Sequence, residues 1–170
     1  MTQPLQPFAE ALGKKIGMSL EVSPSGALFL SLGEQSMLIQ TIDDGKNVLF
    51  YTEVGQPTTF RRGDVFGDLL SGNLFLAETR GATLSYDKYK GMVGLNLLLP
   101  LEGLEGDAFA NTVDNMILAA AKWREELARF NKEAEEKFNQ AQAIEAEGLE
   151  TDEEAPAASG GDMAAYMLRV

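Results

Sequence analysis

The sequence predicts an α+β fold in the order α-β-β-β-α-β-β-α, with a mainly antiparallel twisted sheet and a long C-terminal helix. Three observations lead to this prediction. Apolar residues recur every three or four positions near the start of the chain and again after residue 106. Between these regions they recur at every second position. Clusters of Gly, Pro, Asp and Asn separate the alternating segments and mark turns.

The first element is an amphipathic helix over about residues 7–16, with Gly17 as its stop signal. Its apolar stripe consists of Leu5, Phe8, Leu12 and Ile16. The simpler interpretation is a helix that covers one face of a sheet. A helix whose outer edge also helps to form a binding groove is compatible with the same pattern.

Three strands follow, predicted over 27–32, 36–42 and 47–54. Residues 19–22 form either a short extra strand or an extended lead-in. Phe29 lies opposite the leucine face of the first strand, so both faces of that strand carry apolar side chains. Either a later helix covers the second face, or that face meets a partner.

A short second helix is predicted from Asp64, as its N-cap, to Gly72. Gly67 weakens its interior but permits close approach of another backbone, as in a helix packed on its symmetry mate. A β-hairpin then follows from 82 to 101, and Pro100 ends its ladder because proline has no N–H to donate.

The last helix begins at Asp107, and its apolar stripe is strong as far as Phe130. We expect one domain over residues 1–130, a helical extension over 131–147 and an acidic flexible tail over 148–170 with a short apolar end. Residues 145–154 are rich in acids and hold no base, which favours a disordered linker.

Composition argues against most catalytic chemistry. The 170 residues include no Cys and no His, which removes thiol catalysis and the commonest general base and zinc ligands. The paired carboxylates lie on a turn, on exposed helix positions or in the tail, and Arg61-Arg62 is weak evidence for an anion site. We therefore expect no enzyme, no metal and no cofactor. The net charge of −12 argues against nucleic acid and an anionic membrane surface as partners.

Three local patterns occur in this element order: GNLFLAETRGATLSYDKYKG, LNLLLPLEGL and AAAKWREELARF. Together with the acidity of the chain, they resemble the class I chaperones of bacterial type III secretion, the CesT/Tir-chaperone family. The resemblance covers roughly Leu5 to Phe130. It implies a homodimeric, non-enzymatic chaperone of the bacterial cytoplasm that binds the N-terminal segment of a secreted effector protein and keeps it competent for export.

The resemblance also implies which residues make the contacts. The implied effector-binding residues are Phe8, Leu12, Ile16, Phe29 and Leu38. The implied dimer-interface residues are Val65, Leu69, Leu70, Val93, Leu95 and Leu97. An extended peptide could bind by adding a strand to a sheet edge and by placing alternate side chains in apolar pockets.

The chain departs from the family pattern after Phe130, where the helix is longer and the tail ends in DMAAYMLRV. This departure supports an alternative function: a regulatory or assembly adaptor with the same fold, which binds a partner through the long helix and tail.

Overall fold

A computed structural model describes residues 3–152 of the chain, with side-chain burial for residues 3–146. The helices are α1 (Gln6–Ile16), α2 (Arg62–Gly72) and α3 (Gly106–Asp152). The strands are β1 (Ala27–Leu32), β2 (Gln35–Ile42), β3 (Asn47–Gly55), β4 (Thr83–Asp87) and β5 (Met92–Pro100). The predicted order of elements is confirmed.

The five strands form one sheet in the order β1-β2-β3-β5-β4, and every neighbouring pair is antiparallel. β1 and β4 are therefore the edge strands. A register shift between Glu53 and Gly55 marks a β-bulge in β3. Pro100 is the last residue of β5 and pairs with Asn47, as a residue without an N–H can do at the end of a ladder.

The core lies between one face of the sheet, called the inner face, and the helices α1 and α3. Phe50 of β3 and Phe109 of α3 are fully buried, with their ring centroids 5.2 Å apart. Phe8 of α1 joins them at 5.1 Å from Phe109. α2 packs at the other end of the sheet, where the Phe66 ring lies 4.9 Å from the Tyr86 ring of β4.

Two local predictions are wrong. Asp64 does not cap α2, because the helix begins at Arg62, and Asp64 instead accepts a hydrogen bond from Arg61 Nε at 2.6 Å. Residues 145–152 are helical rather than a disordered linker, since α3 continues to Asp152. Ala, Glu and Leu in this stretch favour helix strongly enough to outweigh the acidic charge. The prediction for residues 153–170 lies outside the described residues.

The question left open over residues 19–22 is settled in favour of an extended lead-in, because no strand is assigned there. The chain divides into two compact units, Met1–Glu136 and Lys137–Val170. The first unit contains the sheet and the core, and Ala134 is still buried one turn beyond Phe130. The predicted boundaries at 130 and 147 stay predictions.

Candidate functional site

The sheet face opposite α1 and α3, called the outer face, carries apolar side chains in register. Phe29, Leu38 and Tyr51 are direct cross-strand neighbours on β1, β2 and β3. Phe29 is 70% exposed, so no helix of the described chain covers it. Leu98 of β5 is also exposed on the outer face. Of the two alternatives for the second face of β1, the intramolecular one is therefore excluded within residues 3–146.

The edge of β1 offers unpaired backbone groups. The outward backbone groups of Ala27 are already bonded to Ser23. The Ser23 N–H donates to Ala27 O at 2.7 Å, and the Ala27 N–H donates to Ser23 Oγ at 3.1 Å. Because outward and inward groups alternate along an antiparallel strand, the next outward residues are Phe29 and Ser31. No hydrogen bond from the described loops reaches the backbone of either residue.

A groove of about 450 Å³ runs beside this edge. One wall is β1 from Phe29 to Leu32, and the other is the segment that follows α1, from Met18 to Glu21. Ile16 closes the groove at the end of α1. The side chains of Ile16, Met18 and Phe29 are all exposed, so the groove presents apolar contacts next to unpaired backbone groups.

The opposite edge of the sheet is closed at Leu84, one of the outward positions of β4. The side-chain amide of Asn73, just after α2, donates to Leu84 O at 3.1 Å and accepts from Leu84 N at 2.8 Å. This pair of bonds imitates a neighbouring strand. The two edges of the sheet therefore differ, since β1 is open at Phe29 and Ser31 while β4 is closed at Leu84.

The structure separates the five predicted effector-binding residues into exposed and buried ones. Phe29 and Ile16 are exposed and line the groove. Leu38 is half-buried on the outer face, and Phe8 is half-buried against Phe109. Leu12 is 1% exposed and belongs to the core, so it offers no surface to a partner in this protomer.

The predicted interface residues divide in the same way. Val65, Leu69, Val93 and Leu95 are buried within the protomer, Leu97 is half-buried, and Leu70 is 70% exposed. Leu70 borders an apolar pocket of about 230 Å³ between α2 and the β4–β5 hairpin.

Sequence reasoning missed two exposed residues beside Leu70. Leu74 is 64% exposed and Phe75 is 89% exposed, in the single 3₁₀ turn that follows α2. Phe75 has a positive φ of 56°, an uncommon conformation for a bulky residue. The apolar run LFL immediately before a turn was the available signal.

Charged groups on the outer face lie at one end of the apolar row. Lys90 Nζ, from the β4–β5 turn, donates to Glu53 Oε1 at 3.3 Å. This hydrogen bond, followed by the negative charge of Glu53, raises the pKa of the Lys90 ammonium. Burial, followed by the charge of Glu53, raises the pKa of the Tyr51 phenol, so Tyr51 is neutral near pH 7.

The two arginines considered for an anion site are engaged in local contacts. Arg61 binds Asp64, and Arg62 Nε donates to Thr58 O at 3.2 Å. Among the residues that the structure describes, no three acidic side chains converge as metal ligands would. Within the same range, no helix has the length and hydropathy that a membrane span requires.

Comparisons with known proteins find solved structures with the same fold. The chain of the ExsC–ExsE complex that matches superposes with a TM-score of 0.64 at 19% identity, over 75% of this chain and 96% of the other. The type III secretion chaperone SycH of Yersinia pestis, in complex with a YscM2 fragment, gives 0.56 at 17% identity, over 69% and 97%. The HopA1–SchA chaperone–effector complex gives 0.56 at 14% identity, over 73% and 92%.

These TM-scores establish a shared fold. No curated protein matches the sequence significantly. The model of the Tir chaperone protein (CesT) family matches residues 8–124, which is more than half of the chain. The chain therefore belongs to the Tir chaperone protein (CesT) family.

Proposed function

We propose that this protein is a type III secretion chaperone that binds the N-terminal segment of a secreted effector and keeps it soluble and competent for export. The observation that carries the proposal is the open edge of β1 beside a groove that exposes the apolar side chains of Ile16, Met18 and Phe29. Family membership supports the proposal, and so does HopA1–SchA, a chaperone–effector complex with the same fold. This role involves no enzymatic step and takes place in the bacterial cytoplasm.

The mode of binding follows from the groove. An extended segment gains main-chain hydrogen bonds by adding a strand to a sheet edge, and its alternate side chains enter pockets. Here the segment pairs with Phe29 and Ser31, and its apolar side chains contact Ile16 and Met18. The net charge of −12 keeps the protein soluble while these apolar groups are exposed.

The test uses the secreted effectors of the source bacterium. Each N-terminal segment is coexpressed with the chain, and complexes are isolated by size-exclusion chromatography. We expect Phe29→Asp to abolish complex formation, whereas Leu118→Asp, an equally drastic change at an exposed position of α3, preserves it. Ser31→Pro removes an outward donor without breaking a β1–β2 hydrogen bond, because the Ser31 N–H points away from β2, so it should also weaken binding.

If no effector segment forms a complex, or if Phe29→Asp binds as well as the original chain, the proposal is wrong. Correct folding of each variant is checked by circular dichroism. This check separates a lost contact from a lost fold.

We also propose that the protein is a homodimer, with Leu70, Leu74 and Phe75 of each protomer in the interface. Their exposure supports this, and among the described residues no atom lies within 4 Å of a Cβ built at Gly67 on α2. Light scattering on the full chain should give the mass of a dimer, and Leu70→Asp should give a monomer. A monomeric original chain would contradict the proposal.

The adaptor function is the second candidate, and the observation that favours it is the continuation of α3 to Asp152. A chain that lacks residues 145–170 separates the two functions. Retained effector binding by the shortened chain supports the chaperone, and loss of all partner binding supports the adaptor.

A further inference from the structure

A small pocket opens on the outer face where β1, β2 and β3 lie side by side. Its volume is about 230 Å³, and its walls include Phe29, Leu38 and Tyr51. Glu53 and Lys90 form its polar end. Sites for whole small molecules are usually about 300–1,000 Å³. The pocket is therefore of a size for one long side chain.

The carboxylate in the pocket stands on a fixed backbone. Glu53 lies at the β-bulge of β3, and Arg124 of α3 donates from Nη2 to Glu53 O at 2.8 Å. A Cβ built at Gly55, at the other end of the bulge, would lie 3.1 Å from Leu127. The backbone of the bulge is thus held from the inner side, which fixes the point from which the Glu53 side chain reaches the pocket.

The ammonium in the pocket is held far less firmly. Lys90 belongs to a turn, its side chain is 61% exposed, and its only ion-pair partner among the described residues is Glu53 at 3.3 Å. An exposed ion pair of this kind contributes little because water and salt screen it. An incoming cation can therefore replace Lys90 on Glu53 at small cost.

Two aromatic rings complete the site. Phe29 is largely exposed, and the Tyr51 ring rests on Gly94, where an added Cβ would lie 2.4 Å from the ring. Ring faces attract cations, and guanidinium stacks on them more often than ammonium does. An anion would instead meet the carboxylate of Glu53, and the net charge of −12 opposes its approach.

We propose that this pocket binds an arginine side chain, with the guanidinium on Glu53 and the aliphatic stem across Phe29 and Leu38. The source of the arginine rests on the proposed function: it belongs to the bound effector segment. The pocket then selects among segments, because one without a basic residue at this point leaves the site unused.

The test is an NMR titration of the full-length protein with N-acetyl-arginine amide. N-acetyl-citrulline amide serves as the uncharged isostere, and N-acetyl-glutamate amide as the anionic probe. We expect saturable shifts of the Phe29, Leu38 and Glu53 amide signals with the arginine probe alone. Glu53→Gln should weaken binding about tenfold, the value of a hydrogen bond to a charged group.

Lys90→Gln provides a readout of opposite sign. Removal of the competing ammonium should tighten binding of the arginine probe by up to about fivefold, the measured range for exposed ion pairs. Glu102→Gln is the matched control, because Glu102 lies just after β5, at the end of the sheet where Asn47 pairs with Pro100. Glu53 lies six residues further along β3, which is roughly 20 Å away at the rise per residue of a strand. It should leave the affinity unchanged.

Three results would overturn the inference: no shift with the arginine probe, equal shifts with citrulline, or binding of the glutamate probe that Lys90→Gln abolishes. The test is independent of the chaperone proposal. If the arginine probe binds but no effector segment forms a complex, the pocket is supported and the chaperone function is rejected. If an effector segment binds but the arginine probe does not, the chaperone function is supported and the pocket is rejected.

Discussion

Gly72→Ala tests the packing between α2 and α3. Gly72 is the last residue of α2 and is buried against Trp123, the only tryptophan of the chain. A Cβ added at Gly72 would lie 2.0 Å from Trp123 Cη2 and 2.6 Å from Cζ2. Contacts this short cannot persist, so the indole has to move.

The indole cannot move without a second loss. Trp123 is buried, and its Nε1 donates to Glu78 O at 3.2 Å. Overpacking of a core typically costs about 1–3 kcal/mol, and a buried donor without its acceptor costs about 1–3 kcal/mol more. Alanine recovers up to about 1 kcal/mol of helix propensity. We therefore expect Gly72→Ala to lower the free energy of unfolding by about 1–6 kcal/mol.

Urea unfolding followed by Trp123 fluorescence measures this change at one fixed protein concentration. Gly63→Ala is the control, because Gly63 lies in the same helix and an added Cβ meets nothing within 4 Å. In thermal unfolding, the midpoint should fall by roughly 2–24 °C, since each kcal/mol shifts it by about 2–4 °C in chains of 150–250 residues. A Gly72→Ala protein as stable as Gly63→Ala would refute the reasoning. Trp123→Phe, introduced into the Gly72→Ala protein, should restore part of the lost stability, because the smaller ring leaves room for the added methyl group. Circular dichroism monitors the unfolding of this double variant, which has no tryptophan.

Two further predictions concern hydrogen bonds seen in the structure. Asn73→Ala removes both bonds to Leu84 and should lower the free energy of unfolding by about 1–3 kcal/mol. Asn73→Asp should lose at least as much, because a carboxylate oxygen then faces Leu84 O where the amide donated. An Asn73→Ala protein as stable as the original chain, by urea unfolding, would contradict this account. The hydrogen bond from Lys122, followed by its positive charge, lowers the pKa of Glu78 below its ordinary value of 4.5. Glu78 therefore stabilises the fold above pH 4.5, and this contribution is lost as the pH falls through the lower pKa of the folded state. Glu78→Gln should therefore flatten the acid limb of the stability curve relative to Glu102→Gln, and identical limbs in the two variants would show that the pair contributes nothing.

The order of elements was predictable because burial periodicity is a local property of sequence. Alternation at Leu28 and Leu30, and helical spacing from Phe109 to Phe130, each specify one element and its buried side. The position of Phe29 opposite the leucine face also showed that both faces of β1 carry apolar side chains, although it left open what covers the second face. These inferences need only neighbours along the chain.

The details of the site needed contacts between distant residues. Leu12 has the same spacing as Phe8 and Ile16, and only the packed structure places it in the core. The closure of β4 by Asn73 joins a helix terminus to a strand eleven residues later. The approach of Arg124 to the bulge at Glu53 joins residues 71 positions apart. No periodicity encodes such pairs.

The asymmetry of the sheet edges limits what the protein can become in a crowded solution. A fibril grows when each copy accepts a strand on one edge and offers a strand on the other. With Leu84 already satisfied by Asn73, a second copy seated on β1 finds no continuous template for a third. Closure of Leu84 therefore disfavours strand addition at β4, and a protein that keeps β1 open for a client is less prone to polymerise with itself.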